Sequence, residues 1–216
     1  MIYEVNDIVK RIKIALDMNK DSTPLEGIED NDTLTTNEVI LSKIEESARS
    51  VIVAAPNYML DGGVALSNSI IWDSQKGYGS GHIFLPNDFL RLVCFQMSDW
   101  SYPVRDAITS DSPLYKQQFS RFAGIKGNPQ KPVVAIVPRA SGQVLEFFSC
   151  LGGDTITIKQ ASYIPIPKIK NDEIDLPEKL VSAIVYHAAS IAALTFGDAN
   201  LSATLSNESK MLMQWW

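Results

Sequence analysis

Cysteine and histidine are scarce in this chain, with two of each in 216 residues. Cys94 and Cys150 lie far apart, each inside a strand-like apolar run. That spacing argues against a disulfide framework and for buried, reduced thiols. No C-x-x-C or H-x-x-x-H spacing occurs, and Cys94, Cys150, His82 and His187 are all far apart in sequence, so no metal centre is expected. Long apolar runs are also missing. None approaches the ~18 residues that a membrane span needs. The opening MIYEVNDIVKRIK carries charge where a signal peptide has its apolar centre. The chain is therefore expected to stay in the cytoplasm of the cell that makes it, with no membrane partner. Positive charge is in deficit: 19 Lys and Arg against 25 Asp and Glu give a net charge of −6. The chain as a whole is thus not drawn to DNA or anionic lipid.

Signatures of chemistry are missing too. Residues 76–81 read KGYGSG, a G-x-G-x-G spacing with a strand-like run after it. A phosphate cradle needs G-x-G-x-x-G opening a helix, or a glycine loop ending in Lys-Ser or Lys-Thr. A nucleophile elbow needs G-x-S-x-G. The loop reads instead as a flexible hairpin tip. Asp30-Asn31-Asp32 begins like a calcium loop, but Thr35 stands where the sixth-position glycine belongs and Leu41 where the twelfth-position glutamate belongs. His187 falls in a helical pattern, where a histidine is usually packed, and His82 borders the hairpin at the expected surface. Glu45-Glu46 and Asp172-Glu173 are sequence neighbours and project in different directions. The expectation is no catalytic, cofactor-binding or metal-binding residue and no enzymatic activity.

What is present is a globular composition, 45% apolar and 20% charged. Ile8, Ile12, Ala15 and Leu16 share a helical face, with Asn6 as the expected N-cap. A polar stretch over residues 19–37 reads as a long loop. Thr35 and Glu38 then form a capping-box pattern ahead of the stripe Ile40, Ile44, Ala48, Val51, Ile52 and Ala55, which Pro56 ends. Strand-like runs come next at 69–72 and 82–85, read as a hairpin, and at 90–97, apolar on both faces as in a central strand. Pro113 opens a short helix. Three more strands are expected at 132–137, 144–150 and 155–163, with Gly142 and Gly152-Gly153 in the turns. Pro177 is the expected first residue of a helix carrying Leu180, Ile184, Ala188, Ile191 and Leu194, with Gly197 as its stop. A last helix starts at about Ala199. The expected fold class is α+β: a helical bundle from both chain ends with an inserted antiparallel β-region and an extended hairpin.

Contact chemistry is the most informative feature. Trp215 and Trp216 end the sequence beside Met211 and Met213. Two tryptophans at a fraying end are costly in water unless the protein's own core or a partner covers them. Trp72, Tyr78 and Phe84, around the glycine loop, form a second candidate contact surface.

Three phrases in the middle of the chain carry a resemblance: LPNDFLRLVCFQMSDWSYPV, then ITSDSPLYKQQFSRFAGIKGNPQKPVVAIV, then VLEFFSC. They resemble the head-to-tail connector proteins (adaptors) of short-tailed bacteriophages, closest to the ring proteins of crAss-like phages, over roughly Thr35 to Leu205. The Trp215-Trp216 ending is not part of that likeness. The resemblance implies a single connector-like domain over 1–216, with N-terminal helices in 1–56, a β-rich middle in 57–170 and C-terminal helices and tail in 171–216. It implies a virion structural protein of the neck and tail, assembled in the host cytoplasm. Such proteins form rings, often of twelve copies, that join the portal to the tail and continue its DNA channel. The implied partners are copies of itself, the portal protein and other tail or ring proteins. DNA passes through the lumen without sequence recognition, which an acidic lining would favour by repelling phosphate. Two other readings stay open: a small soluble enzyme with an unrecognised site, and a free-standing protein-binding module.

Overall fold

A computed structural model describes residues 1–17, 35–60, 62–67, 69–73, 79–151 and 155–214, apart from the side chain of Ala123. The chain divides into two compact units. One joins Met1–Asp61 to Ile166–Trp216, and the other is Gly62–Pro165.

The first unit is built around helices. They are α1 (Val5–Ala15), α2 (Thr36–Ala54), α4 (Val181–Thr195) and α5 (Ala199–Leu212). Helix α4 is the hub, and α1, α2 and α5 all pack against it. Its buried alanines, Ala183, Ala188, Ala189, Ala192 and Ala193, let neighbours come close. Ile8 and Ile12 of α1 and Ile40, Ile44 and Ile52 of α2 are fully buried in this unit, as their 3.6-residue spacing demands. The capping box at α2 forms in both directions. Thr35 N donates to Glu38 Oε2 at 2.7 Å, and Glu38 N donates to Thr35 Oγ1 at 3.3 Å. The Thr35 N bond to the carboxylate, and a second from Thr35 Oγ1 at 2.9 Å, lower the Glu38 pKa. At α1 the cap is different from expectation: the helix starts at Val5, and Glu4 stands at the N-cap with no side-chain bond. Pro177 precedes a single 3₁₀ turn, Glu178–Leu180, so α4 begins four residues after it. Gly197 stops α4 with φ +87°.

The same unit holds a small sheet. Strand β1 (Ile2–Glu4) pairs antiparallel with β10 (Glu173–Asp175). Ahead of β10, Asn171 and Asp172 both have positive φ, and Lys170 and Glu173 exchange backbone bonds of 2.9 and 3.0 Å across them. That is the geometry of a two-residue turn, which Asn and Asp tolerate.

The second unit is a pair of sheets over one core. The three-stranded sheet runs in the order β2 (Val64–Ala65), β9 (Ile158–Pro165), β5 (Phe89–Met97), all antiparallel. The five-stranded sheet runs β3 (Ile71–Trp72), β4 (Gly81–Phe84), β8 (Gly142–Phe147), β7 (Val134–Arg139), β6 (Ile108–Thr109), and its β6–β7 pair is parallel. Leu92, Phe95, Met97 and Tyr163 from the first sheet join Ile83, Val134, Leu145 and Phe147 from the second in one hydrophobic cluster. Phe95 stacks on Phe147 at 5.8 Å and meets Trp100 edge-on at 5.5 Å. The Trp100 indole donates to Ser149 O at 3.1 Å, so its one polar atom is satisfied inside the core. A short helix, α3 (Pro113–Gln117), comes after β6 and has proline at its start, as expected.

The expected architecture is corrected here. The chain is mixed α/β, with five α-helices and ten strands in three sheets among the described residues, and not a helical bundle from both ends with an antiparallel insertion. Two findings overturn it. The unit made from both chain ends contains the β1–β10 sheet, and the larger middle sheet is mixed because of the parallel β6–β7 pair. The physical reason is length. Strands of two or three residues have no period to read, and parallel pairing is decided by topology. Strand β5 is also an edge strand of its sheet, paired along its length with β9 and bridged on its other side at Phe95, which exchanges two backbone bonds of 2.8 Å with Val104. Its two-sided apolarity comes from burial of its second half, not from a central position.

Candidate contact surface

The described contact residues fall in different units, Trp72 and Phe84 in Gly62–Pro165 and Met211 and Met213 in the unit formed by the two chain ends. Trp72 is half-buried and meets Phe147 edge-on at 5.4 Å, so it is anchored to the core of its unit. Phe84 is exposed and packs edge-on against His82 at 5.8 Å. Met211, exposed, and Met213, half-buried, lie at the end of α5 in the other unit. Tyr78, Trp215 and Trp216 lie outside the described residues.

The glycines beside β4 have a different use from the expected bending tip. Gly79 has φ +89°, and a Cβ there would sit 1.9 Å from the carbonyl oxygen of Cys150. Its own carbonyl accepts from Cys150 N at 3.1 Å. A Cβ on Gly81 would lie 2.7 Å from the Phe147 ring and 2.8 Å from Ile71 O. Both glycines permit close packing. Gly77 lies outside the described residues.

The feature that sequence reasoning missed is residues 113–131. Four large apolar side chains are open to solvent there: Leu114 and Phe119 at 49%, Ile125 at 50% and Phe122 at 74%. Lys116 and Arg121 stand between them, and Lys126 and Lys131 follow. No Asp or Glu occurs from residue 112 to residue 145, in a chain of net charge −6. That gap in the acids is the signal that was available. Counting charges over the whole chain hides it.

This strip is fixed to the five-stranded sheet. Tyr115 Oη donates to Glu146 Oε2 at 3.0 Å, and Arg139 Nη2 forms an ion pair with Glu146 Oε1. Glu146 is only 2% exposed, and a buried carboxylate of this kind needs such partners. Arg139 Nη1 also faces His82 Nε2 at 3.2 Å. The Tyr115, Phe119 and Phe148 rings meet edge-on in all three pairs, with centroids 5.2–5.8 Å apart. Buried Gln118 ties the helix to the backbone at Gly127: its Nε2 donates to Leu114 O at 2.9 Å, and its Oε1 accepts from Gly127 N at 2.8 Å. Burial and the Glu146 charge push the Tyr115 phenol up to about 12, so it is a neutral donor across the physiological range.

The remaining polar candidates are structural in placement. Cys94 and Cys150 are buried and free, and Cys94 Sγ lies 3.2 Å from Ser162 Oγ. Burial, helped by Asp99, pushes the Cys150 thiol up to about 12. His187 on α4 is half-buried, which lowers its pKa. Glu46 works against that shift and Lys210 with it. Among the described residues no group of three or more Cys, His, Asp or Glu is placed to hold a metal ion, and no helix is long and apolar enough to cross a membrane.

Compared with known proteins, the chain matches no family model and no curated protein.

Proposed function

We propose that this chain is a virion structural protein that forms a ring joining a phage portal to the tail and continuing the DNA channel. The observation that carries this reading is the uncovered strip at 113–131, because it falls on the phrase SPLYKQQFSRFAGIKGNPQK, part of the resemblance to connector proteins. Exposed apolar side chains mounted on a braced support suit a contact surface: little ordering entropy is lost when such a strip docks. A ring of identical copies needs a heterologous contact, in which one patch meets a different patch and rotation closes the assembly. DNA would pass such a ring without base recognition, and the partners would be copies of the chain, the portal and adjoining tail proteins.

The test is co-sedimentation of the purified protein with an assembled portal. Retention of the chain in the portal fraction is the expected result. Failure to co-sediment at any concentration tried would overturn the reading. Removal of residues 211–216, with Met211, Met213, Trp215 and Trp216, is expected to weaken portal binding while the far-ultraviolet circular dichroism of the monomer stays unchanged. Unaltered binding by the truncated chain would move the portal contact elsewhere.

A further inference from the structure

The strip at 113–131 carries four cations and no anion. Its counterpart in the chain is residues 18–34, considered by sequence alone. That stretch holds Asp21, Glu26, Glu29, Asp30 and Asp32 against the single cation Lys20, with Leu25, Ile28 and Leu34 among them. The two stretches have matched charges, +4 and −4, and each interleaves charge with large apolar side chains. We infer that residues 113–131 of one copy receive the acidic stretch 18–34 of a neighbouring copy. The inference rests on the ring reading and names the contact that would close it.

Three observations support the pairing. The first is that complementary charge steers association and rejects wrong partners. Residues 113–131 have no carboxylate to oppose an acidic visitor. The second is that exposed Leu114, Phe119, Phe122 and Ile125 offer apolar surface that an acidic-apolar segment covers. Nucleic acid would use the cations and stack on the two phenylalanines, but it gains little from the aliphatic Leu114 and Ile125. The third is that the strip is already held in place by the Tyr115–Glu146 bond, the three-ring cluster and the Gln118 bridge, so the strip itself loses little freedom on docking. Because strip and segment are different patches, the contact is head-to-tail and compatible with a closed ring.

Charge reversal in the full chain tests this, read by sedimentation velocity. One variant carries Arg121→Glu, Lys126→Glu and Lys131→Glu, which takes the strip from +4 to −2, and another carries Glu29→Lys, Asp30→Lys and Asp32→Lys, which takes the segment from −4 to +2. Each alone is expected to weaken self-association by about tenfold or more. All six changes in one chain are expected to restore it. In an equimolar mixture of the two variants the unchanged segment of one meets the unchanged strip of the other and reversed segment meets reversed strip, so alternating copies are expected to recover association. Thermal midpoints near wild type show that the variants fold, and recovery in the combined chain excludes misfolding independently. Association of either variant at wild-type strength would overturn the inference. So would a mixture that stays monomeric while the combined chain recovers, which places the contact within one chain. Binding of a single-stranded oligonucleotide by wild type, lost on Arg121→Glu with Lys126→Glu and Lys131→Glu, would assign the strip to nucleic acid and also overturn it. If the wild type is monomeric alone, the same comparison is read in its mixture with portal. Rings formed equally by every variant would overturn the inference and keep the ring reading, whereas no assembly even by wild type would overturn both.

Discussion

At the residue scale, Gly79 shows most clearly how sequence and structure meet. A glycine-rich stretch invites a reading of flexibility, yet Gly79 is needed because the Cys150 carbonyl occupies the space a side chain would take. Gly79→Ala is expected to cost about 1–3 kcal/mol in urea denaturation. Gly142 also has positive φ, but nothing lies within 4 Å of its would-be Cβ, so Gly142→Ala isolates the backbone strain and should cost less. Equal losses in the two variants would show that the close approach to Cys150 does not matter. A second residue-scale prediction concerns alkaline pH. Tyr115 and Cys150 are both pushed up to about 12 from ordinary values of 10 and 9. The folded state therefore holds these protons more tightly than the unfolded state. Their contribution is complete below pH 9 and is lost as pH rises from there toward 12. The urea midpoint should fall across that range, and Tyr115→Phe should flatten the part above pH 10. A midpoint that rises with pH there would contradict the assigned burial of these groups. The His187 shift has the opposite sense: its ordinary value is 6.5 and burial lowers it, so its contribution is present above pH 6.5 and lost as the pH falls.

At the element scale, legibility depended on length and local chemistry. Helix α2 was readable end to end, because its capping box, its apolar stripe and Pro56 are all local signals. Helix α5 and the Gly197 stop were readable for the same reason, and so was proline at the start of α3. Strand β10 was not read, although Asn171-Asp172 is a turn signal, because three residues between polar neighbours show no alternation. The edge position of β5 was beyond reach: burial by the opposite sheet and burial between strands leave the same apolar run. The contact strip was half legible. Pro113 announced the helix, but the exposure of Phe119 and Phe122 depends on where the sheet puts it. For α4, the buried alanines set the approach of neighbouring helices, and Ser209 of α5 donates to Ala183 O at 2.8 Å while fully buried. Ala189→Leu should therefore overpack the helical unit, at about 1–3 kcal/mol, measured by thermal denaturation. A melting temperature equal to wild type would mean that α4 has unfilled space beside it.

At the scale of the whole molecule, the net charge conceals an asymmetry. Unit Gly62–Pro165 has nine Lys and Arg against seven Asp and Glu, whereas the unit formed by the two chain ends has 10 against 18. The sequence totals suggest an acidic protein that repels other acidic surfaces, its own copies included. Divided by unit, the same charges become +2 and −8, a distribution that favours head-to-tail contact between copies. Raising salt should weaken such contacts, since opposite charges further apart than ~10 Å are screened at about 0.1 M. The central claim is that the chain works by assembling through surfaces of this kind. Native mass measurement of the purified protein mixed with portal tests it most directly. The account predicts one discrete complex in which several copies of this chain close a ring on the portal. A mixture in which the chain keeps the mass of a single copy would contradict it.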